Sequence, residues 1–294
     1  MTLDGITLIF SPYHVGIRDH RVGNGPHKIR SMGVEWELQK LGLNVQVNEI
    51  GRVDDFEGEI GRSFELIRRI SLAVTEAVTN NRFPFVLAGN CMSSAAVACG
   101  LNIRDLGFIY FDAHDDLDSP DVHENGYFDA MGLSFLRGES WKALMNTVPG
   151  FKPFKYDKFL YVGLRDQSEV QKQRVVDAGM DQIRGDPAKK INFLGELQKQ
   201  LAAKSYNPTL VHLDLDVLDQ DFGKANDYPS PGGMTGQDLV DCIRLVSAET
   251  SPRSLTVCCF DPNSGDGDKV AHTAIRAIRT FFEEMVNANA IQKL

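Results

Sequence analysis

Ten residues, FDAHDDLDSP (111–120), hold four aspartates and a histidine directly behind an apolar run. A second stretch, HLDLDVLDQD (212–221), follows another apolar run and carries Asp214, Asp216 and Asp219. In extended backbone, alternate residues point to the same side. Asp112, His114 and Asp116 are therefore expected to converge, as are Asp214 and Asp216. Carboxylates gathered without a partner repel one another and rise in pKa, a conflict that one or two divalent cations resolve. A carboxylate-dominated set with one imidazole suits Mn²⁺ best, with Zn²⁺ and Fe²⁺ as alternatives. Aspartate is also common in turns and helix caps. The pairing of D-x-H-x-D with D-x-D-x-x-D at a second strand end favours the metal.

The elements that must position these groups are legible as short apolar runs separated by helix-compatible segments. Strands are expected at 6–13, 43–50, 83–89, 106–113, 158–164, 209–217 and 254–262. Helices are expected within 64–81 and 273–289, where apolar residues recur at helical spacing. Strands that are apolar throughout are buried on both faces, as in a parallel sheet covered by helices on each side. The chain thus reads as one three-layer α/β domain over 1–294, with no repeat or linker to divide it. Ligands of such sheets bind beyond the carboxyl ends of the strands. Those ends carry Cys91, Asp112, Arg165, Asp166, Asp214 and Asp261.

Composition removes other classes. A net charge of −9 over 294 residues, with Lys and Arg scattered, lacks the basic face that nucleic acid requires. No run reaches the length of a membrane span, and MTLDGITLIF lacks the basic start and cleavage site of a signal peptide. Five cysteines, odd in number and irregularly spaced, point to a reducing compartment, hence the cytoplasm. The terminal QKL is a poor variant of a peroxisomal tripeptide. Gly23 and Gly25 follow the first strand, but no G-x-G-x-x-G opens a helix, which argues against a nucleotide-binding fold.

The motifs, in their order and spacing, resemble those of the arginase/agmatinase (ureohydrolase) family along nearly the whole chain. They are GNGPHKIR (23–30), LAGNCMSS (87–94), DAHDD (112–116), GLRD (163–166), HLDLDVLD (212–219), PSPGGMT (229–235) and CCFDP (258–262). The resemblance implies a three-layer sandwich around an eight-stranded parallel sheet. It also implies a dimanganese cluster bridged by a hydroxide that attacks a guanidinium carbon. Carried onto this chain, one metal is held by His114, Asp112, Asp214 and Asp216. The other is held by Asp112, Asp116, Asp214 and the residue at position 91.

Position 91 departs from the family. It is Cys91, where most members have histidine. A thiolate is softer than imidazole and adds a negative charge. Either Cys91 binds as thiolate and shifts preference toward Zn²⁺ or Fe²⁺, or that site is weak and the other dominates. A branch that hydrolyses N-hydroxyarginine also carries cysteine here, with a local pattern like GNC (89–91) and NGY (125–127). The substrate side departs further. The guanidinium-binding glutamate of the family falls on Cys259, with Asp261 two residues on. The positions that grip the amino-acid end of arginine fall on Asp118, Asn125 and Ser168. The proton-shuttle histidine falls on Asp129, with His123 in the same loop.

The expected function is therefore metal-dependent hydrolysis of a C–N bond in a guanidine, hydroxyguanidine, amidine or amide, by a metal-bound hydroxide. Free arginine is not the expected substrate. Asp129, His123 and Asp116 are the candidate catalytic groups. The alternatives are a non-catalytic subunit of the same fold, and a deacylase or cyclase acting on a carbonyl. A small-molecule substrate and a homo-oligomer, the latter by family analogy, are the expected partners. His212 is expected to be a core histidine pointing away from the Asp214 group, and Cys258 to point opposite to Cys259. Arg165 and Asp166 are expected to pair with each other or shape the rim.

Overall fold

Each of the seven apolar runs becomes a strand, and one further strand joins them. The computed structural model describes residues 2–54 and 58–294. In chain order the strands are β1 (Ile6–Ser11), a two-residue hairpin of β2 (Tyr13–His14) and β3 (Ile17–Arg18), β4 (Val45–Glu49), β5 (Phe83–Ala88), β6 (Gly107–Phe111), β7 (Phe159–Leu164), β8 (Asp181–Arg184), β9 (Thr209–Asp214) and β10 (Pro252–Cys258). Eight of them form one sheet in the order β4-β1-β5-β10-β9-β6-β7-β8. Every neighbouring pair is parallel.

The strand missing from the sequence reading is β8, whose residues Asp-Gln-Ile-Arg bury only Ile183. An edge strand packs one flank and needs no apolar run, so hydrophobicity could not reveal it. β4, at the other edge, is also half exposed. The six strands between alternate cleanly. On β6, Ile109 and Phe111 face one core while Phe108 and Tyr110 face the other. The helix Glu59–Thr79 brings Phe64 and Ile67 to the second core, and Gly267–Asn287 brings Phe281 and Phe282 to the first. Both helices begin five or six residues before the predicted ranges.

Three strands stop well before their predicted ends, where an aspartate intervenes or the backbone turns left-handed. β6 ends at Phe111, because Asp112 Oδ1 accepts the His114 N–H at 2.7 Å. β9 ends at Asp214, whose Oδ1 accepts the Asp216 N–H at 2.7 Å and starts a short 3₁₀ turn, Leu215–Val217. β10 ends at Cys258, and Cys259 takes φ +58°. The hairpin after β1 rests on Gly89, where a Cβ would lie 1.9 Å from the Tyr13 carbonyl oxygen. Only glycine admits so close an approach of two backbones.

The four central strands, β5, β10, β9 and β6, thus deliver their carboxyl ends side by side. Chain order reverses there, and a ligand crevice opens at such a point.

Candidate metal centre and cavity

Cys91 follows β5, Asp112 to Asp116 follow β6, His212 and Asp214 end β9, and Cys258 with Cys259 end β10. The predicted cluster does assemble, by turns rather than by extended alternation. Asp116, for example, reaches the centre with φ +47°.

The acidic half is built around His114. Its Nδ1 lies 3.3 Å from Asp216 Oδ2 and 3.5 Å from Asp112 Oδ1, and its Nε2 lies 3.5 Å from Asp166 Oδ2. Burial disfavours charge on the ring, yet Asp216, Asp112 and Asp166 together hold the His114 pKa well above its ordinary value. Asp216 also accepts the Asn226 side-chain amide at 2.9 Å. Although burial opposes it, His114, Asn226 and Arg165 keep Asp216 below the usual carboxylate range. Burial raises Asp112, and the nearby Asp216 adds to the effect. Asp116 is raised by burial and by Asp112 and Asp129, while the Tyr110 hydroxyl donates to it at 2.5 Å.

Ligand atoms of Asp112, His114 and Asp216 lie within 4.8 Å of one another, as do those of Cys91, Asp112 and Asp116. Asp112 and Asp116 are crowded, buried and driven toward protonation in the absence of a cation, whereas Asp216 is held low by His114. Their oxygen-rich chemistry fits a hard divalent metal.

The sulfur half differs from expectation. Cys91 donates its S–H to Asp214 Oδ2 at 2.8 Å and lies 3.7 Å from Asp112 Oδ2. Its sulfur is 3.1 Å from Cys259 Sγ and 3.6 Å from Cys258 Sγ. The expectation that Cys258 points away from Cys259 is corrected here. The left-handed turn at Cys259 cancels the strand alternation, so both thiols face Cys91. His212 is corrected as well. Positions 212 and 214 are two apart, so both side chains lie on one face of β9. His212 Nε2 sits 3.7 Å from Asp112 Oδ2 and 3.8 Å from Cys258 Sγ, in the floor of the site.

A cavity of about 150 Å³ opens above these groups. Cys259, Asp261, Asp118, Asp129 and His123 line it. Asp118 is already paired with Arg174 at 2.6 Å and with Gln171 at 3.1 Å. Asn125 and Ser168, expected at the substrate, are engaged elsewhere. Asn125 accepts the Tyr127 N–H in an exposed turn, and Ser168 caps the helix Glu169–Asp177. Sequence correspondence carried those two positions, and local capping has taken them over.

Asp129 accepts N–H groups from Asn90 (2.6 Å), Met92 (2.9 Å) and Cys91 (3.2 Å), so it fixes the loop bearing Cys91. His123 stands 3.8 Å from Asp118, and its buried Nδ1 has no hydrogen-bond partner.

His14, Tyr127 and Tyr228 also stand in the wall. Tyr127 stands 5.8 Å from Tyr228 and 6.3 Å from His14, ring to ring. Burial first, then Arg21 and His20, push the His14 pKa down to about 4, so its ring is neutral at physiological pH. Only the Tyr of NGY had been singled out as a motif residue, and nothing in the spacing of the other two marked them.

Arg165 does not pair with Asp166. Its guanidinium instead donates to the carbonyls of Gly163, Asp216, Val217, Leu218 and Ser230 at 2.8–3.3 Å. Asp219 accepts from Gly232 and Gly233 and so ties the same turn rather than facing the metal groups. Lysine cannot span a fan of carbonyls as the planar fork does. Arg165→Lys is therefore expected to cost about 2–4 kcal/mol through unsatisfied buried carbonyls. Denaturant titration would measure it, and an unchanged midpoint would contradict the clamp.

The match to known proteins covers this same framework. The family model described as "Arginase: Arginase family" matches residues 5–283. The chain belongs to the arginase family. Its members are metal-dependent hydrolases of C–N bonds other than peptide bonds. An arginase of Staphylococcus aureus (strain MRSA252) is 27% identical over 296 residues, covering 95% of this chain and 97% of that protein. Among solved structures, the arginase of Bacillus caldovelox superposes with a TM-score of 0.85 at 21% identity, covering 95% and 98%. A proclavaminate amidino hydrolase of Streptomyces clavuligerus superposes at 0.73 and 17% identity, covering 98% and 93%. For this arginase-family chain, the departures lie in the sulfur half of the centre and in the wall of the cavity.

Proposed function

We propose that this arginase-family chain acts as one domain over 1–294 and hydrolyses a planar C–N substrate other than free arginine, such as a hydroxyguanidine, amidine or amide. The observation that carries this reading is the state of position 259. Cys259 Sγ packs against Cys91 at 3.1 Å and near Asp129 at 3.7 Å. Position 259 itself offers a thiol and no carboxylate to pair with a guanidinium. Relatives named arginase leave arginine as the competing substrate.

Asp112, His114 and Asp216, with Asp116 and Cys91 beside them, would hold divalent metal, Mn²⁺ by preference of the oxygen donors. When bound, metal supplies water activation and the electrophilic pull on the reacting carbon. The residues of the chain do the remainder. Tyr127 and Tyr228 offer aromatic faces on which a planar group rests. Asp261 is the carboxylate left to orient its N–H groups. Asp118 is already bound to Arg174, so we assign it to shaping the wall. Asp129 holds the Cys91 loop and, with His123, is the local group able to move a proton to the departing nitrogen. A homo-oligomer in the cytoplasm, acting on a small molecule, completes the reading. Among the described residues, no helix is long and apolar enough to cross a membrane.

The test is a substrate panel. Hydroxyguanidines, amidines and amides, offered beside arginine and agmatine to the Mn²⁺-loaded protein, should yield product with arginine at least about a hundred-fold slower. That margin corresponds to the loss of one charged hydrogen-bond partner, about 1.5–3 kcal/mol. Rapid ornithine release from arginine would overturn the substrate assignment.

A further inference from the structure

The geometry points to a second kind of metal position in the floor of the centre: a soft-cation site for Zn²⁺ formed by Cys91, Cys258, His212 and Asp214. The resemblance to the family assigns neither His212 nor Cys258 to a metal, and the inference stands on these side chains whether or not the hydrolase reading holds.

One ligand atom from each of the four lies within 4.8 Å of every other, and all four residues are buried. Tetrahedral zinc, with Zn–S near 2.3 Å and Zn–N near 2.0–2.1 Å, requires ligand-to-ligand edges of about 3.5–3.8 Å. The Cys91–Cys258 edge is 3.6 Å and the Cys258–His212 edge is 3.8 Å. The Cys91–Asp214 edge is short, 2.8 Å, because the thiol proton bridges it. Metal would replace that proton and let the edge lengthen.

An independent feature concerns His212. Its Nδ1 is 2.7 Å from the hydroxyl of buried Ser94. With that nitrogen donating to Ser94, Nε2 carries the lone pair and faces Cys258. Imidazoles that ligate metal are oriented in this way by a partner on the far nitrogen. Tyr110 stacks on the ring at 3.8 Å and fixes its plane.

Two thiolates, one carboxylate and a neutral imidazole leave a single net negative charge around a dication, and binding releases the two thiol protons. The sulfurs select against Mn²⁺, whereas the oxygen-rich half above, around Asp112, His114 and Asp216, selects for it. One centre would then hold two chemically distinct cations.

The test loads chelator-stripped, reduced protein with Co²⁺ or Zn²⁺ alone and does not read turnover. Wild type should take up Co²⁺ with a thiolate-to-cobalt charge-transfer band that saturates at one equivalent, whatever further Co²⁺ the oxygen-rich half accepts. Cys258→Ser should lose about half of that band, since one of two thiolates is removed. His212→Gln should retain the band but bind Zn²⁺ more weakly by more than about tenfold, because even outer partners of a metal ligand are worth that much. Cys99→Ser, outside the cluster, should match wild type. A full band and undiminished Zn²⁺ affinity in both Cys258→Ser and His212→Gln would overturn the site. Should those variants fail to fold, ¹¹³Cd resonance of the loaded wild type decides. A shift in the two-sulfur range supports the assignment, and one in the range of a single sulfur or none overturns it.

Discussion

Asp214→Asn is expected to remove about one metal equivalent from the purified protein. It should also lower turnover of the substrate found in the panel by more than about a hundred-fold, above what an outer-shell partner contributes. Asp214 is the carboxylate shared by both halves of the centre. Its Oδ1 accepts the Asp216 N–H and shapes the turn that carries Asp216, and its Oδ2 faces Cys91. Asparagine keeps the acceptor and the volume but removes the charge. The turn should survive while cation binding fails. Burial, with Asp216, Cys259 and Asp112 nearby, raises the Asp214 pKa. The metal-free variant is accordingly expected to melt higher than metal-free wild type at pH 8. Elemental analysis and thermal melting check both halves of this prediction, and full metal content in Asp214→Asn would exclude it as a ligand.

The stability of the chelated protein should fall as pH rises from about 5 to 8, opposite to the behaviour of a protein with well-paired carboxylates. Asp112, Asp116, Asp129 and Asp214 are all raised, in each case first by burial and then by neighbouring negative groups. Above the unfolded carboxylate pKa of about 4, the unfolded chain has lost protons that the folded chain retains. The folded state then binds more protons, and unfolding becomes easier with each increment of pH. His114 acts in the same direction. Its contribution is complete below the unfolded pKa of about 6.5 and is lost as pH rises through the higher folded value. Asp216, being lowered, loses its contribution only on acidification, outside this interval. The lowered His14 opposes the trend below about pH 6.5, one group against the raised carboxylates and His114.

Divalent metal requires the same groups deprotonated, so its stabilising effect should grow with pH. Each kcal/mol corresponds to about 2–4 °C in a chain of this size class. Scanning calorimetry of chelated and loaded protein at the two ends of the interval would show the gap widen. A chelated midpoint that is flat or rising would refute the crowding on which the centre depends.

The acidic half of the centre was legible because aspartates and a histidine do not accumulate behind apolar strands without cause. Their types and spacing were sufficient, even though the assumed extended geometry was replaced by turns at Asp112 and Asp214. The floor was not legible to the same degree. Cys258 was hidden by the left-handed residue beside it, a backbone state that alternation rules do not anticipate. His212 lay within reach of the same two-residue rule that grouped Asp214 with Asp216; it is buried as expected, and only the assumed odd spacing from the Asp214 group was wrong. The wall came from a hairpin and loops, where position depends on long-range packing. Asp118, Asn125 and Ser168 show the converse, since correspondence along a family pattern does not prevent Arg174 or a helix cap from claiming a side chain. The edge strand β8 was missed because solvent on one flank removes the apolar signature.

Gly89 has a bearing on engineering. Because the hairpin with His14 is seated on a spot that admits no methyl group, and the Gly89 carbonyl accepts the Cys259 N–H at 2.9 Å, a Gly89→Ala change would act as a wedge that shifts the cavity mouth and the tip of β5 together. The entrance and the cation-holding tips thus share one backbone hinge point, and neither can be reshaped from it without disturbing the other.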